Sequence, residues 1–137
     1  MNRINLIALL PLLTSIFDYF SPDKGIGDAD LLGTLPYLPG PFPSKTYSGY
    51  IDISPDKSIH YVFTESQNDP VTDPIIVWYQ GGPGCSSMGG FFAEIGPFIP
   101  DNISKGFKLN DNAWNKKANV LFIDQPVGTS YSIGRTH

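Results

Sequence analysis

Two short stretches limit the folds open to this 137-residue chain. Ile75-Ile76-Val77-Trp78-Tyr79 is apolar throughout instead of alternating, and Asn119-Val120-Leu121-Phe122-Ile123 repeats the pattern just before Asp124. Continuous apolar runs of this length belong to strands covered on both faces, as in a largely parallel sheet. Parallel strands need a long connection, and the segment between these two is long enough for a helical crossover. Upstream, residues 47–53 and 58–66 carry β-branched and aromatic residues in near alternation around Ser54-Pro55-Asp56-Lys57. Proline at the second position suits a type I turn, so this pair predicts an antiparallel hairpin. Hairpin, strand, helix, strand is an α/β order.

The first apolar run leads straight into Gln80-Gly81-Gly82-Pro83-Gly84-Cys85-Ser86-Ser87 and then Met88-Gly89-Gly90-Phe91-Phe92. This reads as strand, glycine-rich turn, short helix. Glycine tolerates positive φ and leaves backbone N–H groups uncovered, which is how an anion or oxyanion pocket is built; a tight structural turn has the same composition. On a helical wheel Met88, Phe91, Phe92 and Ile95 share one face, while Ser87, Gly90 and Glu94 share its neighbour. One face packs, and the other is small with a single carboxylate. Spacing alone leaves Glu94 open to being an ordinary solvated residue. Gly96-Pro97 stops the helix. With the hairpin counted as two strands, the glycine turn follows the third, the place from which α/β hydrolases take one of their two oxyanion N–H donors. Gly82 is then the candidate donor.

Arg3 followed by Leu6-Ile7-Ala8-Leu9-Leu10-Pro11-Leu12-Leu13 reads as a secretory signal peptide over residues 1–20, cut between Ser15 and Ser21. An amphipathic or buried N-terminal helix is the alternative, and Pro11 counts against it. The run is shorter than the roughly 20 residues of a spanning helix, so no stable membrane span is expected after its removal. Residues 21–46, rich in proline and glycine, form an extended lead-in, leaving 47–137 for the sheet. A net charge of −4, with no basic stripe, excludes nucleic acid as a partner. Cys85 is the one cysteine; in an exported chain it implies an intermolecular bond, a free thiol, or a partner beyond this sequence. Asn102-Ile103-Ser104 is a glycosylation sequon, which would sit on a surface loop.

Several of these segments together resemble the serine carboxypeptidases. They are Leu38-Pro39-Gly40 with Tyr47-Ser48-Gly49-Tyr50, the 78–87 turn, Gly90-Phe91-Phe92-Ala93-Glu94-Ile95-Gly96-Pro97-Phe98, Trp114-Asn115, and the segment 119–128 ending Asp124-Gln125-Pro126-Val127-Gly128. The resemblance runs from about Leu38 to Ser132 and implies the N-terminal part of an α/β-hydrolase fold, incomplete in this chain. It implies that Gly82 donates to the oxyanion and that Gln80 and Glu94 hold the substrate's terminal carboxylate. Gln80 stands where Asn is commoner, moving the amide one methylene outward. The resemblance also implies a disulfide from Cys85 to a distant downstream cysteine, and a pocket lined in part by residues 124–132. It calls for no metal and no cofactor. Its partners are peptide or protein C-termini, and its compartment is the secretory pathway, secreted or lysosomal and vacuolar.

Glu94 facing a substrate carboxylate would bind it with one proton shared between the two groups, so binding should favour acidic pH. A serine hydrolase also needs a nucleophile, a base and an orienting acid. No Gly-x-Ser-x-Gly elbow occurs in these residues, His60 reads as a surface or packed histidine, and His137 is the last residue. The chain alone is expected to be inactive, with strand Asn119–Ile123 as an open, aggregation-prone edge. A serine-type carboxypeptidase is the leading reading of the complete protein. A related acyltransferase and a non-catalytic secreted binding or decoy protein are the alternatives.

Overall fold

The structure is a computed structural model and describes residues 27–102 and 106–134. The signal peptide expected over residues 1–20, Ser104 and His137 all lie outside the described residues. The chain divides into two compact units, 1–31 and 32–137. In the first, Gly27–Asp30 forms a 3-10 turn. The second holds the strands and the candidate site.

The hairpin forms as read. Strands β1 (Thr46–Ser54) and β2 (Lys57–Thr64) pair antiparallel, with a register shift between Asp52 and Ser54 at the turn end. Strand β3 (Ile75–Tyr79) follows, then helix α1 (Met88–Ala93), the antiparallel pair β4 (Phe98–Asp101) and β5 (Gly106–Leu109), a 3-10 turn at Trp114–Lys116, and β6 (Asn119–Ile123). The main sheet has the order β1-β2-β6-β3, with β6 antiparallel to β2 and parallel to β3. It is a mixed sheet with few helices, a partial α/β architecture.

That order overturns the expectation of an open edge at β6. The crossover returns the chain between the hairpin and β3, so β6 becomes an inner strand, buried over its first four residues. The edges are β1 and β3, and on β3 the row of Ile75, Val77 and Tyr79 is 45%, 43% and 52% exposed. Burial on both faces therefore holds for the first four residues of β6 and fails for β3, whose face carrying Ile75, Val77 and Tyr79 is open to solvent.

The crossover is also less helical than expected. Helix α1 ends at Ala93, before Gly96-Pro97, because the amides of Glu94, Ile95 and Gly96 all converge on the Gly90 carbonyl, at 3.3, 3.0 and 3.3 Å. One carbonyl thereby caps the segment that a longer helix would have continued. Gly96 lies so close to the Phe91 carbonyl that no Cβ fits there. The face of α1 read from the sequence does pack: Phe91 and Ile95 join Val62, Val120 and Phe122 in the core, with Met88, Phe92, Phe42, Ile76 and Trp78 against it. Phe42 comes from the proline-rich lead-in, edge-on to Phe98 at 5.6 Å, and so ties that segment to the core. Removing these rings from water is the main favourable term for a unit of this size.

Candidate active site

The end of β3 sets the site. Register pairs Trp78 with Phe122 and Ile76 with Val120, so Trp78 points to the core face where α1 lies. Its indole lies directly on Gly90, with no room for a Cβ between them. The indole Nε1 then reaches past the strand end and donates to Gln80 Oε1 at 2.8 Å. Gln80 Nε2 in turn donates to Glu94 Oε1 at 3.0 Å. Both ends of the amide are engaged, which fixes its flip. Glu94 is the residue capping α1, and its carbonyl accepts a bond from buried Asn110 Nδ2 at 3.1 Å, while the same amide donates to Gly96 at 2.9 Å. The structure thus brings Gln80 and Glu94 together from either side of the turn.

Between them runs the glycine turn. Gly82 has φ +148° and Gly84 has φ +78°, conformations that side chains rarely adopt. A Cβ on Gly82 would stand 2.6 Å from the Cys85 sulfur and 3.2 Å from its backbone nitrogen. Residues 81–85 are exposed, so the turn faces solvent. The Cys85 thiol is free and exposed. Asn102 lies apart, in the exposed turn after β4. Among the described residues no group of three or more His, Cys, Asp or Glu is placed to hold a metal ion. No helix among them is long and apolar enough to cross a membrane.

The downstream end of the turn is anchored by a residue with no role assigned from the sequence. Asp124 is fully buried, and its Oδ1 accepts from Ser86 Oγ and from the Ser87 backbone N–H, both at 2.8 Å. Ser87 Oγ accepts the Gln80 N–H at 3.1 Å and donates to the Ile123 carbonyl at 2.5 Å. Asp124 Oδ2 meets His60 Nδ1 at 2.9 Å, and His60 Nε2 lies 3.1 Å from Ser48 Oγ. The register explains the meeting: Val62 pairs with Phe122, so two residues on, His60 and Asp124 share the same face. His60 is therefore packed, between the rings of Tyr50 and Tyr131 at centroid distances of 5.6 and 5.1 Å. The available sequence signal was the acidic residue closing an apolar strand, since a buried carboxylate requires partners.

Hydroxyl, imidazole and carboxyl follow one another in this network as they do in a serine hydrolase. Ser48, however, lies inside β1 and pairs with Val62, not on the sharp strand-to-helix turn that presents a nucleophile. The network is a brace for the glycine turn.

A family profile described as serine carboxypeptidase matches residues 36–137. The chain belongs to the serine carboxypeptidase family. A serine carboxypeptidase of Caenorhabditis elegans is 46% identical over 112 residues, covering 80% of this chain and 20% of its own length. The lysosomal protective protein of Mus musculus is 42% identical over 128 residues, covering 91% of this chain and 27% of its own. Among solved structures, a prohormone-processing carboxypeptidase of Saccharomyces cerevisiae matches with a TM-score of 0.60 at 33% identity, over 75% of this chain and 25% of that one. The chain therefore spans about a fifth to a quarter of the length of these relatives.

Proposed function

We propose that the complete protein is a serine-type carboxypeptidase that releases single residues from peptide C-termini through an acyl-enzyme. The observation that carries this reading is the Gln80 amide, held between Trp78 at 2.8 Å and Glu94 at 3.0 Å beside the glycine turn. In this reading the chain is the N-terminal part of an α/β-hydrolase fold, and the nucleophile, base and orienting acid come from elsewhere in the complete protein.

A peptide's terminal carboxylate docks against Gln80 and Glu94, with a proton shared between it and the Glu94 carboxyl. This fixes the last peptide bond at a set distance from the turn. When the nucleophile adds to the scissile carbonyl, negative charge develops on oxygen, and the Gly82 N–H donates to it. Loss of one such donor costs about 3–4 kcal/mol of transition-state stabilisation. The carbonyl then re-forms as the amino acid leaves, and water releases the acyl group.

The reading extends to the environment. A secretory route to a lysosome or vacuole is supported by the name of the mouse relative, a lysosomal protein. There Cys85, exposed and free in this structure, would bond a cysteine elsewhere in the complete protein, and Asn102 would carry a glycan.

The test is hydrolysis of an N-blocked dipeptide at acidic pH by the complete protein. Release of the C-terminal amino acid supports the peptidase. Transfer of the acyl group to an added alcohol without hydrolysis supports the acyltransferase instead. In the active protein, Glu94→Gln is expected to flatten the pH dependence of KM, and an unchanged profile would refute the shared proton.

A further inference from the structure

The brace behind the glycine turn carries an inference that rests on the carboxypeptidase reading and deepens it. We propose that Asp124 is a positioning residue that sets the geometry of the oxyanion turn, acting on Gly82 through Ser86 and Ser87.

The connections are direct. Asp124 is fully buried and is the shared acceptor for the Ser86 hydroxyl and the Ser87 N–H, both at 2.8 Å. Ser86 Oγ also accepts the Met88 N–H at 3.1 Å, so the same carboxyl reaches the first residue of α1. Ser87 Oγ, with its bonds to Gln80 N–H and the Ile123 carbonyl, closes the turn's two ends on each other. Residues 81–85, between those ends, are exposed and have glycine-only geometry at Gly82 and Gly84. Such a turn has little packing of its own to hold it, so its shape follows from its two clamped ends. Asp124 is clamped in its turn: His60 Nδ1 meets Oδ2 at 2.9 Å, and Ser132 Oγ bridges the His60 N–H and the Asp124 carbonyl at 2.8 and 2.6 Å. The Gln80 side chain is held separately, by Trp78, and the Glu94 backbone by Asn110, so that only the Gln80 backbone N–H meets the brace, at Ser87 Oγ.

This separation makes a specific expectation. Loosening Asp124 moves the oxyanion donor and leaves the carboxylate site in place, so kcat falls while KM stays. A misplacement of about 1 Å at such a donor costs on the order of a hundredfold in rate. Asp124→Ala removes the acceptor of both serines. Asp124→Asn keeps an oxygen for Ser86 and Ser87, and its new N–H₂ is accepted by His60 Nδ1 if the imidazole proton moves to Nε2, facing Ser48.

In the complete protein, Asp124→Ala should lower kcat roughly ten- to a hundredfold with KM within about twofold of wild type, and Asp124→Asn should restore most of the loss. Amide hydrogen exchange should rise at Gln80 and Ser87 and remain unchanged in β1 and β2. If Asp124→Ala does not fold, Ser87→Ala removes the hydroxyl that joins the two ends, and raises exchange at Gln80 with the same fall in kcat. Unchanged exchange in these amides, or unchanged kcat in a variant that is merely less stable, overturns the inference. Wild-type protein that hydrolyses no blocked dipeptide overturns the carboxypeptidase reading instead, and the exchange measurement still decides whether Asp124 holds the turn.

Discussion

Adjacent glycines in α1 should respond to the same substitution with opposite signs. Gly89 has nothing within 4 Å of where a Cβ would stand, and Gly90 has the Trp78 indole there, with Cδ1 at 2.9 Å and Cε2 at 3.1 Å. Alanine is favoured over glycine in a helix by about 1 kcal/mol, so Gly89→Ala should stabilise the protein by up to about that amount. At Gly90 the same gain is offset. The indole must retreat by roughly 1 Å to reach ordinary contact distance, and overpacking of this kind costs about 1–3 kcal/mol. The retreat also takes Nε1 away from Gln80 Oε1, now at 2.8 Å, and forfeits about 1 kcal/mol more. The net is a destabilisation of about 1–3 kcal/mol for Gly90→Ala. Urea unfolding of the two variants on one background gives both values, and fluorescence follows Trp78, whose ring stands 5.7 Å from that of Trp114. If Gly90→Ala proves as stable as Gly89→Ala, the indole does not lie against the helix as described, and the support claimed for Gln80 fails with it.

Other expectations are local. Asp73 is held below the usual carboxylate range, first by the Ser66 hydroxyl at 2.5 Å and then by the Asp69 N–H at 3.1 Å, with the Asn68 amide and the charge of Lys117 adding to it. A depressed folded-state value means that its support of the 66–73 loop is complete above about pH 4 and disappears as the pH falls through that lower value. An NMR titration of the carboxyl should therefore give a midpoint below 3.8, rising in Ser66→Ala; a wild-type midpoint at or above 3.8 contradicts the bonding. Asn115, fully buried, shares the two hydrogens of Nδ2 among Ser44 Oγ, Thr64 Oγ1 and the Glu65 carbonyl, and accepts from Gln67 Nε2. Asn115→Leu should cost about 1–3 kcal/mol in thermal or urea unfolding through the polar groups it orphans, and a neutral result would contradict the bracket. In the isolated 137-residue chain, Val77→Lys on the exposed row of β3 should reduce concentration-dependent association seen by light scattering, whereas a change placed at β6 should not act through an edge.

Local pattern made some elements legible and could not reach others. The bounds Ile75–Tyr79 and Asn119–Ile123 were readable because continuous apolar runs end sharply at Gln80 and Asp124. The packed face of α1 was readable from its period. The sheet order was not, because β3 and β6 have the same apolar character and nothing local says which lies inside. The β4–β5 pair was hidden by Pro100, which reads as a strand breaker but is tolerated where pairing is short and at an edge. At the site, Gln80, Gly82 and Glu94 came from segments adjoining a single turn. His60 and Asp124 are 64 residues apart and meet through the β2–β6 register, which neither segment specifies alone.

In the proposed reading, Gln80 and Glu94 make this a site for chain ends. It is tested most directly by comparing an N-blocked dipeptide with its C-terminal amide as substrates of the complete protein at acidic pH. The account predicts at least tenfold higher kcat/KM for the free acid, a difference of about 1.4 kcal/mol or more, and loss of that preference in a Gln80→Ala, Glu94→Ala double variant. Equal hydrolysis of acid and amide by the wild-type protein would contradict it.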